Sequence, residues 1–389
     1  MSLLESSVGF LSVFLAVING IQRMDVTNIM GSVMSLVRAL GIVMVLKLGY
    51  GLKGLMVNQV AVSVISMVTL TLLVRKYFPA FSFRPYRFHR GIFQRLFEYG
   101  YKVQISRISQ MVNLQLDKVL IGHFVTMGMV GFYDVAAKIS SAIKLLPLMS
   151  LASVVPASSQ LQTEGDDERI VSLFYRGSRY LLSVSIPIAI FTILHAPLVM
   201  ATWLGAGYEQ AAVILRILAV GYSLNAAAGV GLFIALGVGR PDMEMKYGLL
   251  VTVLNLLFSI LLIIKWGAYG AALGSTLALT VSIIYFMVLF HRYLRRSTLE
   301  YYRLFVKPLV LSVALALLNY GMLHVLGVQI QGRVQGFMIL LIQFISFFGV
   351  YTLILMRSRY FDVYDEEMLL SRLPFLKFIC VGKHHELTG

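Results

Sequence analysis

The chain has 389 residues, of which 58% are hydrophobic and 13% are charged, and its formal net charge is +15. Soluble domains carry about 25% charged residues, so this composition excludes an ordinary soluble globular protein. The single cysteine, Cys380, excludes an intrachain disulfide and a multi-cysteine metal site.

Apolar stretches long enough to cross about 30 Å of hydrocarbon recur along the whole chain. They predict an all-α polytopic membrane protein with about eleven transmembrane helices. In chain order the segments lie near residues 8–21, 26–46, 52–74, 102–125, 131–159, 180–203, 211–237, 246–265, 268–290, 304–327 and 335–356. The basic residues stand between these segments, as membrane-flanking cations do, so no nucleic-acid partner is expected.

A short motif, Gly-x-x-Arg-x-Asp, occurs at residues 20–25 and again at 237–242. Each copy is followed by an apolar stretch, a Tyr-Gly step, a second apolar stretch and a basic exit. The steps are Tyr50-Gly51 and Tyr269-Gly270, and the exits read RKYF at 75–78 and HRYL at 291–294. This motif also occurs as an ordinary turn and anchor at a helix end, but the matching register favours an internal duplication. We therefore expect segments one to three to superpose on segments seven to nine.

The duplication predicts two pseudo-symmetric lobes, of which the first is incomplete. Segments four to six precede the second motif and have no counterpart before the first, so a complete molecule is expected to carry three more helices ahead of Met1. Parallel repeats are one plan of secondary transporters, with the substrate site between the repeats near the bilayer midplane. The predicted domains are a truncated N-lobe with a basic connector at 1–98, a C-lobe at 99–303, and two terminal helices with a tail at 304–389.

The orientation follows from the lysines and arginines in the loops, which are more abundant on the cytoplasmic side. Twenty-two lie in one set of loops and the C-terminal tail, against four in the opposite loops. The sequence therefore predicts a multi-pass protein with a cytoplasmic C-terminus.

Charges inside the apolar segments are informative, because each costs about 3 kcal/mol near the bilayer centre on insertion scales. The acids there are Asp117 and Asp134. The basic residues are Arg38, Lys102, Arg107, Lys118, Lys138, Lys144 and Arg216. Lys102 and Arg216 lie close to segment ends, so we expect both to snorkel towards the interface.

Segments four and five are expected to form a hairpin that turns near Met127. Asp117 and Lys138 then lie at equal depth, about 10 Å from the outer end at 1.5 Å per residue. We predict a structural ion pair between them, which cancels the cost of burying either charge and fixes the register of the two helices.

Arg38, Arg107 and Lys144 have no acid partner at their depth in adjacent segments. Arg107 begins a polar stripe on segment four, with helical spacing. The stripe continues through Gln110, Asn113, Asp117 and Lys118. Arginine and lysine are the natural partners of phosphate oxygens, so we predict that Arg38, Arg107, Lys144 and Lys118 form a cationic cavity for an anionic substrate.

Prolines inside the segments free backbone carbonyls and permit kinks. They include Pro147, Pro156 and Pro187. Rocking transporters need such bends, although a packing kink is the commoner explanation.

The stretch LQLDKVLIGHFVTMGMVGFYDVAAKI, residues 114–139, resembles the Wzx-like polysaccharide flippases of the multidrug/oligosaccharidyl-lipid/polysaccharide exporter superfamily. LAVINGIQRMDVTNIMG and LKLGYGLKGL resemble the same family. The resemblance implies fourteen helices in two lobes around a cationic cavity. It further implies transport of undecaprenyl-pyrophosphate-linked oligosaccharide to the periplasmic leaflet of a bacterial inner membrane, for O-antigen, capsule or exopolysaccharide synthesis. Membrane lipids and other polysaccharide-assembly membrane proteins are the partners it implies.

Three other functions stay open at this point. A cation-coupled multidrug exporter of the same superfamily would prefer membrane carboxylates, and seven basic residues against two acids argue against it. An oligosaccharide polymerase would need a large periplasmic loop, and the longest outer loop is about a dozen residues. The chain could also be an inactive, truncated copy. No hydrolase, metalloprotease or phosphate-loop motif occurs, so we predict no enzyme and no cofactor, with coupling to a proton or sodium gradient left open.

Overall fold

The computed structural model describes residues 14–15, 17–18, 20, 23–77, 89–149, 151, 153–205, 207–325, 332–358, 360–362 and 365. The chain forms two compact units, Met1–Phe93 and Gln94–Gly389. All regular structure in the described ranges is helical, which confirms the predicted all-α fold. Most of the predicted first segment, 8–21, and most of the C-terminal tail lie outside the described residues.

The first unit contains a helical hairpin. Helix α1 spans Met24–Lys47 and helix α2 spans Gly51–Tyr77. The connection needs two glycines in the left-handed region, Gly49 at φ 76° and Gly51 at φ 55°, where a Cβ would cause strain. A side-chain hydrogen bond joins the two helices of the hairpin: Asn58 Nδ2 on α2 donates to the Arg38 carbonyl on α1 at 3.3 Å.

The second unit contains nine described helices. They are α3 (Arg90–Phe124), α4 (Met127–Met149), α5 (Val154–Glu164), α6 (Asp167–Leu204), α7 (Glu209–Ala227), α8 (Gly229–Gly237), α9 (Pro241–Leu294), α10 (Thr298–Val325) and α11 (Arg333–Arg357). Helix α7 lies at the centre and packs against α4, α6 and α9, while α10 and α11 pack against α6. The predicted hairpin of segments four and five is therefore α3 and α4, with a turn just before Met127.

Helix α9 is two membrane helices joined at Gly267, which has φ 55° and ψ −136°. A straight helix of 54 residues would be about 80 Å long, more than twice the hydrocarbon thickness. The two halves fold back on each other, because a Cβ on Gly274 would lie 2.6 Å from the Ser259 nitrogen. Segments eight and nine are thus separate spans, as their sequences predict.

Seven helices in the described ranges are long and apolar enough to cross a membrane. Helices α4 and α5 together pass the same test, with a bend of 44° between them. Helix α3 is the most polar of the long helices and is not among the seven. The multi-pass architecture is therefore confirmed for the part of the chain that the structure describes.

The duplicated motif makes the same contacts in each unit. In the first unit Arg23 pairs with Asp25 at 3.2 Å, and its guanidinium lies 4.6 Å from the centre of the Tyr77 ring. In the second unit Arg240 pairs with Asp242 at 2.9 Å and lies 5.6 Å from the Tyr293 ring. The two tyrosines belong to the two basic exits, RKYF and HRYL. Each motif therefore fastens the start of a helical hairpin to its end.

The Tyr-Gly step has a different role in the two units. In the first unit it forms the turn itself, whereas Tyr269 and Gly270 lie inside α9, and the turn glycine is Gly267. The superposition of whole segments stays a prediction.

Helix α6 contains two prolines, and each frees a carbonyl four residues earlier because it lacks an N–H. Pro187 frees the carbonyl of Ser183, which accepts a hydrogen bond from the Tyr351 hydroxyl at 3.0 Å. Pro197 frees the carbonyl of Ile193, which accepts from Arg216 Nε at 3.0 Å. The expectation that Arg216 snorkels to the interface is therefore wrong: its guanidinium replaces a missing backbone donor.

Helix α10 repeats this arrangement at Pro308. The freed carbonyl of Leu304 accepts a hydrogen bond from the Tyr360 hydroxyl at 2.9 Å. Lys102, the other cation expected to snorkel, pairs with Glu98 on its own helix at 2.8 Å.

The segment after α11 is fastened to α6 by charge. The fully buried carboxylate of Asp365 accepts from Arg179 Nη1 at 2.8 Å and from the Tyr180 hydroxyl at 2.5 Å. Asp362 also pairs with Arg179, at 2.7 Å. Together with the hydrogen bond from Tyr360 to Leu304 of α10, these contacts hold the chain after α11 against α6 and α10.

We expect Tyr351→Phe to destabilise the protein by about 1–3 kcal/mol, because the Ser183 carbonyl is left without a donor. In a Pro187→Ala background the same change should cost much less, since the alanine N–H restores the intrahelical bond. Thermal unfolding of the four proteins in detergent measures the difference. Tyr285→Phe is the control, because Tyr285 is exposed on α9. Equal losses in both backgrounds would show that Tyr351 does not serve this carbonyl.

Candidate substrate cavity

A polar cavity of about 350 Å³ lies inside the second unit, among α3, α4, α7 and α9. The polar stripe predicted on segment four faces it through three residues one turn apart, Gln110, Asn113 and Asp117. The other polar lining residues are Ser141, Lys144, Tyr222, Asn225, Tyr247, Asn255 and Ser275. Polar groups inside a membrane protein face a cavity or a partner, so the stripe is the wall of an internal site.

Helices α3 and α9 meet along a ladder of polar contacts. Gln110 Nε2 donates to Glu244 Oε1 at 3.2 Å, and Asn113 Nδ2 donates to Thr252 Oγ1 at 2.9 Å. The helices can approach this closely because Gly248 has no side chain: a Cβ there would lie 3.3 Å from the Ser109 Cβ. The ladder fixes which face of α3 is turned to the cavity.

Asp117 is 4% exposed and lies on α3 one turn beyond Asn113, the last residue of this ladder. Its carboxylate accepts hydrogen bonds from the hydroxyls of Tyr133, at 2.5 Å, Ser259, at 3.1 Å, and Ser275. The same two serines lie 2.8 and 3.0 Å from the side-chain oxygen of Asn255. Each hydroxyl has one proton, so three donors face more oxygen lone pairs than they can satisfy.

The predicted ion pair between Asp117 and Lys138 is wrong. Lys138 pairs with Asp134, four residues earlier on its own helix, at 2.7 Å, and Lys118 pairs with the same carboxylate at 2.5 Å. Equal depth was the basis of the prediction, but it leaves the direction around the helix undetermined. Asp117 and Lys118 are successive residues, about 100° apart around α3, so they meet different side chains of α4: Asp117 accepts from Tyr133, and Lys118 pairs with Asp134. Lys118 thus belongs to an ion-paired group with Asp134 and Lys138, and it does not line the cavity.

Lys144 lies on the cavity wall, as a substrate-binding residue should. Within the described ranges its ammonium group has no hydrogen-bond or ion-pair partner, and Glu244 is the carboxylate with which it interacts electrostatically. Arg107, which is exposed, interacts with the same carboxylate. The two predicted cations of the second unit therefore share one acidic neighbour.

Sequence reasoning missed Glu244, because it follows the Arg240 motif and was counted as part of a cytoplasmic loop. Helical spacing could have identified it. Residues 244, 248, 252 and 255 recur at steps of four, four and three, which places them on one face of α9. That face is the one that meets α3.

Arg38 lies in the first unit, on α1, with an exposed side chain. Its predicted place in one cavity with Arg107 and Lys144 stays a prediction.

The fold is similar to that of a known lipid flippase. The solved structure of the lipid II flippase MurJ in an inward closed conformation matches with a TM-score of 0.60 and 15% identity, over 90% of this chain and 72% of that one. The fold of the chain is therefore that of a polytopic flippase.

The sequence comparisons find similar proteins among polysaccharide transporters and flippases. The family model described as "Polysaccharide biosynthesis protein" matches residues 21–213. A putative O-antigen transporter of Shigella flexneri is 24% identical over 51% of this chain and 47% of its own length. A probable low-salt glycan biosynthesis flippase of Haloferax volcanii is 23% identical over 49% of this chain and 40% of its own length. An uncharacterized membrane protein of Methanocaldococcus jannaschii is 24% identical over 78% of this chain and 58% of its own length.

The chain spans about half the length of the curated relatives it matches. Together with the fold, these matches confirm the resemblance to the Wzx-like polysaccharide flippases that the motifs at 114–139 indicated. The named relatives are transporters and flippases, which agrees with the prediction that this chain is not an enzyme.

We expect Asp134→Asn to lower the stability by about 1–3 kcal/mol, because Lys118 and Lys138 lose their common partner. Adding Lys118→Met should recover part of the loss, since it removes the less exposed of the two stranded cations. The matched comparison is Asp117→Asn with Lys138→Gln, whose effects should add, because these side chains are not in contact. Thermal unfolding of each single and double variant tests both expectations. Coupling between Asp117 and Lys138 would contradict the arrangement described here.

Proposed function

We propose that the chain moves a lipid-linked oligosaccharide across the membrane, from the cytoplasmic to the opposite leaflet, for the synthesis of a surface polysaccharide. The observation that carries this proposal is the ammonium group of Lys144 on the cavity wall, which has no hydrogen-bond or ion-pair partner among the described residues, whereas the carboxylate of Asp117 on the same wall is bound by three hydroxyls. The relatives named as an O-antigen transporter and a glycan biosynthesis flippase support the same substrate class.

The cavity has the chemistry for both parts of such a substrate. Lys144 and Arg107 are suited to the oxygens of a pyrophosphate, with which they form charge-assisted hydrogen bonds. Amide and hydroxyl groups on the other walls, such as Asn113, Asn225 and Tyr222, can donate to and accept from sugar hydroxyls. A volume of about 350 Å³ is at the lower end of ligand pockets, so it fits the phosphate-proximal part of the head group.

The transport mechanism we propose is alternating access between two lobes. Arg38, Arg107 and Lys144 are the substrate-binding cations we propose for it, because such carriers bind the substrate near the bilayer midplane. We further propose an undecaprenyl-pyrophosphate carrier lipid, a bacterial inner-membrane location with a cytoplasmic C-terminus, and cooperation with other polysaccharide-assembly proteins.

We expect Lys144→Gln to reduce transport about 10- to 100-fold, because a hydrogen bond to a charged group contributes about 1.5–3 kcal/mol. The assay is flipping of a lipid-pyrophosphate oligosaccharide in proteoliposomes, with the protein expressed from its complete gene. Lys138→Gln is the matched control: it makes the same change of charge on the same helix, but its side chain is 69% exposed and bound to Asp134. Parental rates for both Lys144→Gln and Arg107→Gln would refute the cationic site.

We also propose that Asp117 couples transport to a cation gradient. Its carboxylate, with Asn255 and three hydroxyls, offers an excess of oxygen lone pairs in a buried position, which suits a proton or a sodium ion. The carboxylate is tied to both halves of α9 through Ser259 and Ser275, so occupancy can change how the halves pack.

We expect Asp117→Asn, which preserves the shape and removes the charge, to abolish the response of transport to an imposed proton or sodium gradient. Binding of geranylgeranyl pyrophosphate to the purified protein should persist. Asp134→Asn is the control, because it removes a carboxylate outside the cavity. Proteoliposomes with a pH difference alone or a sodium difference alone identify the ion. Full gradient dependence in Asp117→Asn would exclude this residue as the coupling site.

A further inference from the structure

Glu244 is an acidic group with which both proposed phosphate-binding cations interact electrostatically, and the transport proposal assigns it no role. It lies in the first turn of α9, where Gln110 holds one carboxylate oxygen at 3.2 Å. Lys144 and Arg107 interact with it from α4 and α3. Gln110 also lines the cavity, whose α4 wall carries Lys144, so the carboxylate that Gln110 binds lies beside the cavity.

The carboxylate is close to the cations without being bound to them. Among the described residues neither Lys144 nor Arg107 forms an ion pair within 4.0 Å, whereas Lys118, Lys138 and Arg179 all do. One negative charge facing two positive charges leaves an excess of one. The cations are thus partly compensated when no substrate is bound, and they keep free donors for one.

We propose that Glu244 is the resident counter-ion of Lys144 and Arg107 and competes with the phosphates of the substrate for them. This inference rests on the proposed function. When an anion enters the cavity, it replaces Glu244 as the main electrostatic partner of the two cations. When the anion leaves, Glu244 becomes their main partner again. The carboxylate therefore sets an upper limit to the affinity and promotes release, which a carrier needs in order to turn over.

Gln110 is the positioning residue in this arrangement. Its amide nitrogen binds Glu244, and its side chain also lines the cavity, so it keeps the carboxylate beside the substrate site rather than inside it. The close approach of α3 and α9 at Gly248 keeps these two side chains in register.

The test compares Glu244→Gln with the parent protein in binding and in transport. Binding of geranylgeranyl pyrophosphate to the complete purified protein is measured by calorimetry, with geranylgeraniol as the uncharged probe. We expect Glu244→Gln to bind the pyrophosphate about tenfold more tightly, because an uncompensated cation pair attracts an anion more strongly, and to bind the alcohol unchanged. In the flipping assay KM and kcat should both fall, since release becomes slower.

Asp242→Asn is the matched control, with the same change of charge in the same turn of α9. The carboxylate of Asp242 pairs with Arg240 and Lys246 instead, so the affinity of Asp242→Asn for geranylgeranyl pyrophosphate should equal that of the parent protein. Glu244→Asp serves as a second variant with a retained charge, and parental affinity is expected there. If Glu244→Gln is not monodisperse, Gln110→Leu replaces it, because it releases the carboxylate from its position, and tighter binding is again expected.

The outcomes separate this inference from the proposal on which it rests. Unchanged or weaker pyrophosphate binding in Glu244→Gln, with weaker binding in Lys144→Gln, overturns the counter-ion role and leaves the cationic site intact. Unchanged binding in Glu244→Gln, Lys144→Gln and Arg107→Gln alike refutes the cationic site itself, and the inference fails with it.

Discussion

The architecture depends on one constraint: a polar group inside hydrocarbon must find its partner within the protein. The prolines of α6 and α10 show how strictly it holds. Three freed carbonyls, those of Ser183, Ile193 and Leu304, each accept a hydrogen bond from a side chain of another element. The donors are two tyrosines and one arginine, Tyr351, Tyr360 and Arg216. A local defect in one helix thereby becomes a specific attachment to the next, and α6 is held by both the central helix and the last one.

The same constraint sorts the charged side chains into structural and functional groups. Lys118 and Lys138 are neutralised by Asp134, and Arg179 is neutralised by Asp362 and the buried Asp365. Removing one member of such a group strands a charge, so these pairs maintain the packing and specify its register. Lys144 is different, because it faces a cavity and lacks a bonded partner among the described residues. This difference is why we propose Lys144, and not the paired lysines, as a substrate-binding cation.

The repeated contact of arginine, aspartate and tyrosine has the same physical logic. An arginine at the start of a hairpin pairs with an aspartate two residues later and lies over the ring of a tyrosine at the hairpin's end, in the first unit as in the second. The guanidinium group satisfies the carboxylate and stabilises the aromatic face at once, which suits a membrane interface. The two copies of the motif therefore use the same residue types at nearly the same separation, a likeness in side-chain contacts that supports the predicted internal duplication.

The sequence by itself determined the membrane-spanning helical class, the separation of segments eight and nine, the polar stripe of α3 and the resemblance to flippases, because each depends on hydrophobicity, helical spacing or motifs that are local in the chain. It also pointed to Lys144 on the cavity wall. Only the tertiary structure decided the partners. Asp117 binds hydroxyls of α4 and α9 rather than Lys138, and Arg216 donates to a carbonyl of α6. Glu244 lies in the first turn of α9, where it binds the cavity-lining Gln110. Depth along a helix can be read from residue number, but the direction of a side chain around that helix, and the neighbour it meets, depend on how the helices pack.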